Sequence, residues 1–144
     1  MNYYEQEIIS ALTAGNVNVV CAEGGADEVF TRVMERYSVH GSKIDWSRVE
    51  GSVEEQEWNL DLHSQSFERF FRYAVSRFGL SGEVVYVGDD LTDFALSGSI
   101  EAFEGLLGAI FEVPHHHYFL GDDLDWCMCF SMEGSMSFGF SQGY

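Results

Sequence analysis

Between Pro114 and Cys129 the chain reads P-H-H-H-Y-F-L-G-D-D-L-D-W-C-M-C. His115, His116, His117, Asp122, Asp123, Asp125, Cys127 and Cys129 thus fall within 15 residues. Imidazoles and carboxylates at such density could hold a divalent metal and activate a water. On a strand, His115 and His117 point one way and His116 the other. A histidine pair at i and i+2 can chelate, and Asp122 or Asp123 could complete the shell. Gly-Asp-Asp, however, is ordinary turn chemistry. The chain offers no H-E-x-x-H and no second ligand pair, and C-M-C is the wrong spacing for a zinc knuckle. The expectation is therefore no metal and no cofactor. A metal-dependent hydrolase using His115, His117 and the aspartates is kept as the enzymatic alternative.

A second acidic run, VVYVGDDLTDFA at 84–95, resembles the magnesium-binding motif of haloacid-dehalogenase phosphatases, with Asp89, Asp90 and Asp93 as the cluster. That chemistry also needs an aspartate nucleophile in a D-x-D pair after an early strand. Leu60-Asp61-Leu62-His63 lacks the second aspartate, and the only lysine, Lys43, precedes Asp61 rather than following it. No G-x-S-x-G elbow, P-loop or dinucleotide fingerprint is present. The chain is expected not to be an enzyme.

The charge is segregated. The 144 residues carry 24 acids against seven bases, for a net charge of −17. All seven bases lie between Arg32 and Arg77, and the 67 residues from Phe78 onward hold 11 acids and no lysine or arginine. Such a field repels nucleic acid and anionic membranes and attracts a basic protein. With 46% hydrophobic and 15% aromatic residues, the acidity does not signal disorder. No apolar run is long enough for a transmembrane helix, and MNYYEQEIIS lacks the features of a signal peptide. Three cysteines, Cys21, Cys127 and Cys129, read as free thiols, which together place the protein in the cytoplasm.

Four segments show helical periodicity: about 3–13, 26–37, one following Ser66 as N-cap and ending at Gly79, and one following Ser99 and ending before Pro114. Strands are expected at 83–89, 115–120, 125–132 and 135–141, the last three as an antiparallel meander closed by a Glu133-Gly134 turn. A strand at 17–22 is weaker, and residues 38–65 are the hardest to read. Trp126, Met128, Phe130 and Met132 share one face, with Asp125, Cys127, Cys129 and Ser131 on the other. Trp126 therefore reads as core, though an outward Trp126 among carboxylates would suit an interface centre. The fold expected is α+β: a single domain over 1–144, with four helices packed on a mainly antiparallel C-terminal sheet. Residues 1–65 form a helical N-terminal part, and 66–144 hold the remaining helices and the β-meander.

The run V-P-H-H-H-Y-F-L-G-D-D-L-D-W-C-M-C-F-S-M-E-G-S-M-S-F-G-F resembles small acidic immunity proteins of bacterial contact-dependent growth inhibition systems, on the pattern P-x-H-x-Y, acidic turn, W-C, E-G and F-G. The likeness covers residues 66–142. It implies an inhibitor that binds a cognate toxin C-terminal domain, a basic nuclease, and blocks its active or substrate-binding surface, with no bound nucleic acid and no membrane. The residues expected to meet that partner are Asp89, Asp90, Asp93, Asp122, Asp123, Asp125, Glu133, Glu54 and Glu55. The rival binding function is a DNA-mimic inhibitor of a DNA-binding enzyme.

Overall fold

The computed structural model describes residues 1–40 and 43–141. Its centre is a seven-stranded sheet in which every neighbouring pair is antiparallel. The strands are β1 (Val19–Gly25), β4 (Val53–Gln56), β5 (Glu83–Gly88), β6 (Phe94–Ser99), β7 (His117–Gly121), β8 (Trp126–Phe130) and β9 (Ser135–Phe140), in the order β1-β6-β5-β7-β8-β9-β4. A separate ribbon pairs β2 (Val39–His40) with β3 (Lys43–Ile44).

Strand alternation decides which side each residue faces. Val84, Tyr86, Phe119, Trp126, Met128, Phe130, Met136 and Phe138 point to one face. There they meet α1 (Tyr3–Ala14), α3 (His63–Phe78), α4 (Ile100–Glu104) and α5 (Leu107–Phe111). Val85, Val87, Tyr118, Leu120 and Cys127 point to the other face, under α2 (Ala26–Arg36) and Ile44 of β3. With both faces covered, the middle strands read as nearly continuous apolar runs, such as Val84–Val87.

The α+β class, the antiparallel sheet and the single domain agree with the sequence reading. Four details differ. Strand β6 (Phe94–Ser99), absent from the strands expected, lies inside the sheet between β1 and β5. The described residues hold five α-helices rather than four, because the stripe after Ser99 breaks at Gly105-Leu106 into α4 and α5. The sheet is not confined to the C-terminal part: β1 and β4, both from within residues 1–65, form its two edges. Helix α3 begins at His63, so Ser66 is no N-cap; it lies buried in the first turn and donates its hydroxyl to Glu57 Oε1. Gly79 does end that helix, in the left-handed conformation at φ 62°.

Helix α1 is fixed by a reciprocal cap. Asn2 Oδ1 accepts from the Glu5 N–H at 2.9 Å, and Glu5 Oε1 accepts from the Asn2 N–H at 3.2 Å. The second oxygen of Glu5 accepts from the Asp93 N–H at 3.0 Å, which ties the helix to the β5–β6 loop.

Candidate functional site

His115 and His117 do face the same way, though not through strand alternation: β7 starts only at His117 and His115 lies in the bend before it, with the ring centres 4.8 Å apart. What lies between them is the hydroxyl of Tyr86, 3.1 Å from His115 Nε2 and 2.8 Å from His117 Nδ1. The donors can be assigned in sequence. The Leu91 N–H donates to His115 Nδ1 at 3.0 Å, so neutral His115 carries its proton on Nε2 and donates to Tyr86. Tyr86 then donates to His117 Nδ1, and the remaining His117 N–H bonds to the backbone of Val113. All four ring nitrogens are engaged within the fold. Burial lowers the pKa of His115 to about 4, against an opposing pull from Asp89 and Asp90. Burial also holds His117 well below its usual range, with His115 adding to the effect. Both rings are neutral, polar parts of the core. His116 points away and accepts from the Met132 N–H at 2.9 Å.

The aspartates do not join this pair. In the β5–β7 register, Gly88 lies opposite His117 and Val84 opposite Gly121. The loop carrying Asp89, Asp90 and Asp93 therefore stands at the histidine end of the sheet. The turn carrying Asp122, Asp123 and Asp125 stands at the other, separated by the length of β7, about 17 Å for five residues. Among the described residues, no group of three or more histidines, cysteines, aspartates or glutamates is arranged to hold a metal ion. Asp61 sits in a 3₁₀ turn, Leu60–Leu62, and not at the end of a strand. Cys127 and Cys129 are free thiols with sulfurs 3.7 Å apart, and Cys21 is free and exposed on β1.

All nine carboxylates expected to meet a partner are exposed. Asp89 also does a local job, accepting from the His116 N–H at 3.0 Å and so extending the β5–β7 ladder by one rung. Glu133, in the β8–β9 turn, is at the histidine end, and its pKa is lowered chiefly by its own backbone N–H. Glu54 and Glu55 lie on edge strand β4, opposite Ser137 and Met136, and so project from opposite faces.

The 122–125 turn is held firmly. Leu124 adopts a left-handed backbone at φ 58°, uncommon for a leucine, while its side chain is buried. The Tyr37 hydroxyl donates to the Leu124 carbonyl at 3.1 Å, and the Asp122 N–H to the Glu83 carbonyl at 3.1 Å. Trp126, next to this turn, is 3% exposed and packs on Phe138, which makes it core.

One feature of the histidine end was not singled out in the sequence. A cleft of ≈ 280 Å³ opens between the start of α3, the β8–β9 turn and the segment 112–117. Phe67, Phe111 and the two buried histidines line its floor, with Leu60, Asp61, Glu112 and Met132 around it. Beside it Trp58 is 87% exposed. The signal was present in Trp58-Asn59-Leu60-Asp61-Leu62, an apolar-polar alternation too short and too close to α3 to be a strand.

No helix of the described residues is long and apolar enough to cross a membrane. Comparison of the sequence with protein-family models and with curated proteins finds no match to either.

Proposed function

We propose that this chain is an immunity-type inhibitor: it binds a basic, nuclease-type toxin domain in a one-to-one complex and covers the surface that domain uses for its substrate. The observation that carries the reading is the segregation of charge. Residues 78–144 hold 11 acids and no lysine or arginine, so their carboxylates have no base in their own half to pair with. Among the described residues the ion pair present is Arg72–Glu68, within α3. A nuclease must be basic where it grips phosphate. Carboxylates placed there gain attraction and speed: steered association reaches about 10⁸ M⁻¹s⁻¹ or more at low salt. Asp89, Asp90, Asp93, Asp122, Asp123, Asp125, Glu133, Glu54 and Glu55 are the proposed contact set, acting in the cytoplasm where such a toxin is delivered.

The test is co-expression with the C-terminal domain of the product of the neighbouring gene, expected to be a large secreted toxin, with binding measured over a range of salt. The expected result is rescued growth and a 1:1 complex whose association slows as salt rises. Absence of binding, or binding without rescue, would overturn the reading. The separation of the two aspartate clusters by the length of β7 favours a second reading, a DNA-mimic inhibitor of a DNA-binding enzyme, which would use both ends at once. Charge reversal at one end alone separates the two. A mimic loses binding from either end, whereas an inhibitor with one compact interface loses it from one.

A further inference from the structure

We infer that the cleft at the histidine end is the anchor point of the interface, and that it takes an arginine-type side chain, a planar cation on an aliphatic stem, from the basic partner. This rests on the reading of the protein as an inhibitor of a basic domain.

Exposed apolar surface gathers in one place beside the cleft. Trp58 (87%), Leu60 (74%), Met132 (52%) and Leu62 (39%) are exposed on two adjoining segments. The segments are stitched together: the Glu57 N–H donates to the Gly134 carbonyl at 2.9 Å, and Gln56 Nε2 donates to the Glu133 carbonyl at 2.7 Å. Other exposed large side chains, such as Tyr3, Val20, Met34 and Tyr73, sit singly on separate elements. A gathered patch rimmed by polar groups marks a binding surface, whereas single exposures are ordinary. An exposed tryptophan on a well-held segment is also a frequent energetic centre of interfaces.

The floor of the cleft is aromatic. Phe67 and Phe111 meet edge to face at 5.3 Å, His63 stacks on Phe67, and Phe111 packs against His117. Burial keeps the two deep histidines neutral, and their hydrogen bonds to Tyr86 and Leu91 fix the rings in place, so these two rings bring no positive charge to the floor. Rings of this kind attract a cation, most of all a guanidinium that can stack on them.

The rim is acidic. Asp61 and Glu112 line the cleft, and Glu133 stands in the adjoining turn. The nearby base, Arg69, is directed at Ser66 and Glu57. A purely apolar guest would desolvate these carboxylates without compensation, and an anionic one would be repelled. A guanidinium meets both demands, since its fork fits a carboxylate and its stem lies on apolar surface. The volume suits one long side chain better than a whole cofactor.

The test has two parts. Amide and methyl NMR signals of the full chain are followed during titration with acetyl-Gly-Arg-Gly-amide and with its leucine counterpart. Binding of the neighbouring toxin domain is then measured for Trp58→Ala/Leu60→Ala and Asp61→Lys/Glu112→Lys, all exposed positions whose replacement leaves the core untouched. The expected result is that the arginine peptide alone moves the signals of Leu60, Phe67, Phe111 and Met132, and that each double variant binds the toxin domain at least about tenfold more weakly, the loss expected when an interface anchor is truncated. Unmoved cleft signals, or equal shifts with the leucine peptide, would overturn the inference. So would self-association of the wild type that Trp58→Ala abolishes, which would assign the patch to a second copy. Full toxin binding by both variants sinks the cleft and leaves the inhibitor reading standing. No toxin binding by the wild type sinks the inhibitor reading, and the peptide titration then decides the cleft by itself.

Discussion

The two ends of the sheet carry similar charge and are built in opposite ways. At the far end, Asp122, Asp123 and Asp125 ride on a tight turn whose one large neighbour, Trp126, is buried. At the histidine end, Asp89, Asp90, Asp93 and Glu133 stand on the loops that flank the neutral buried imidazoles, Asp61 and Glu112 line an open aromatic cleft, and the large neighbour, Trp58, is exposed. Charge alone can attract a partner but holds it weakly in water. Apolar surface next to charge can hold it. Under the proposed function the two ends do different work, guidance at one and grip at the other.

The two tryptophans give the largest test of that division. Trp126→Ala is expected to destabilise the fold by about 3–5 kcal/mol, as for other large-to-small changes in a packed core. Trp58→Ala is expected to stay within about 0.5 kcal/mol of wild type in stability while weakening toxin binding. Urea denaturation of both variants checks this, and similar losses would erase the distinction between the ends. Tyr86→Phe comes next. It leaves His115 Nε2–H and His117 Nδ1 without their partner, at a cost of about 1–3 kcal/mol by the same measurement. A smaller loss would mean that the histidine end does not depend on its hydrogen-bond chain.

The pH dependence should also separate the two ends. Folded His115 has a pKa of about 4 and His117 lies well below its ordinary value of 6.5, so the unfolded chain takes up protons that the folded chain refuses. Stability is therefore full above pH 6.5 and falls as pH drops from there toward about 4. Glu57 and Glu133, whose pKa values are lowered, add a further loss only below about pH 4.5. Replacing Asp122, Asp123 and Asp125 should leave the loss between 6.5 and 4 in place, because those groups face away from the histidines. Denaturation midpoints across pH check this. The smallest effect on stability belongs to that triple change itself. Asp122→Lys/Asp123→Lys/Asp125→Lys is expected to shift unfolding by no more than about 0.5 kcal/mol, while association with the toxin domain slows and becomes less sensitive to salt. Stopped-flow kinetics would detect it, and unchanged kinetics would remove the far end from the interface.

Much of the architecture was legible because each signal was local. The alternation Trp126-Cys127-Met128-Cys129-Phe130 records its two faces directly, and it holds in the structure. The caps Ser99 and Gly79 mark helix ends by their own chemistry. The segment 38–65 was opaque for the opposite reason. β2 and β3 are two residues long, and edge strand β4, Val-Glu-Glu-Gln, has no apolar alternation to read. Its partner β9 lies about 80 residues away, as in the pairing of Val53 with Phe138. The candidate site was half legible. The nine carboxylates could be named from composition and turn chemistry. Their division between two ends follows only from the β5–β7–β8 register, and Tyr86 reaches the histidines through that same register.

The order in which the strands join has a kinetic consequence. β1 and β4 precede the other strands of the sheet in the chain, yet each forms an edge and must wait for a later strand: β6 for β1, and β9 for β4. The five strands between them come from 83–140 and can assemble among themselves first. That segment also carries most of the unbalanced negative charge, so its collapse proceeds against its own repulsion. Folding should consequently be slow for the chain's size and should quicken with added salt, with the edges closing last.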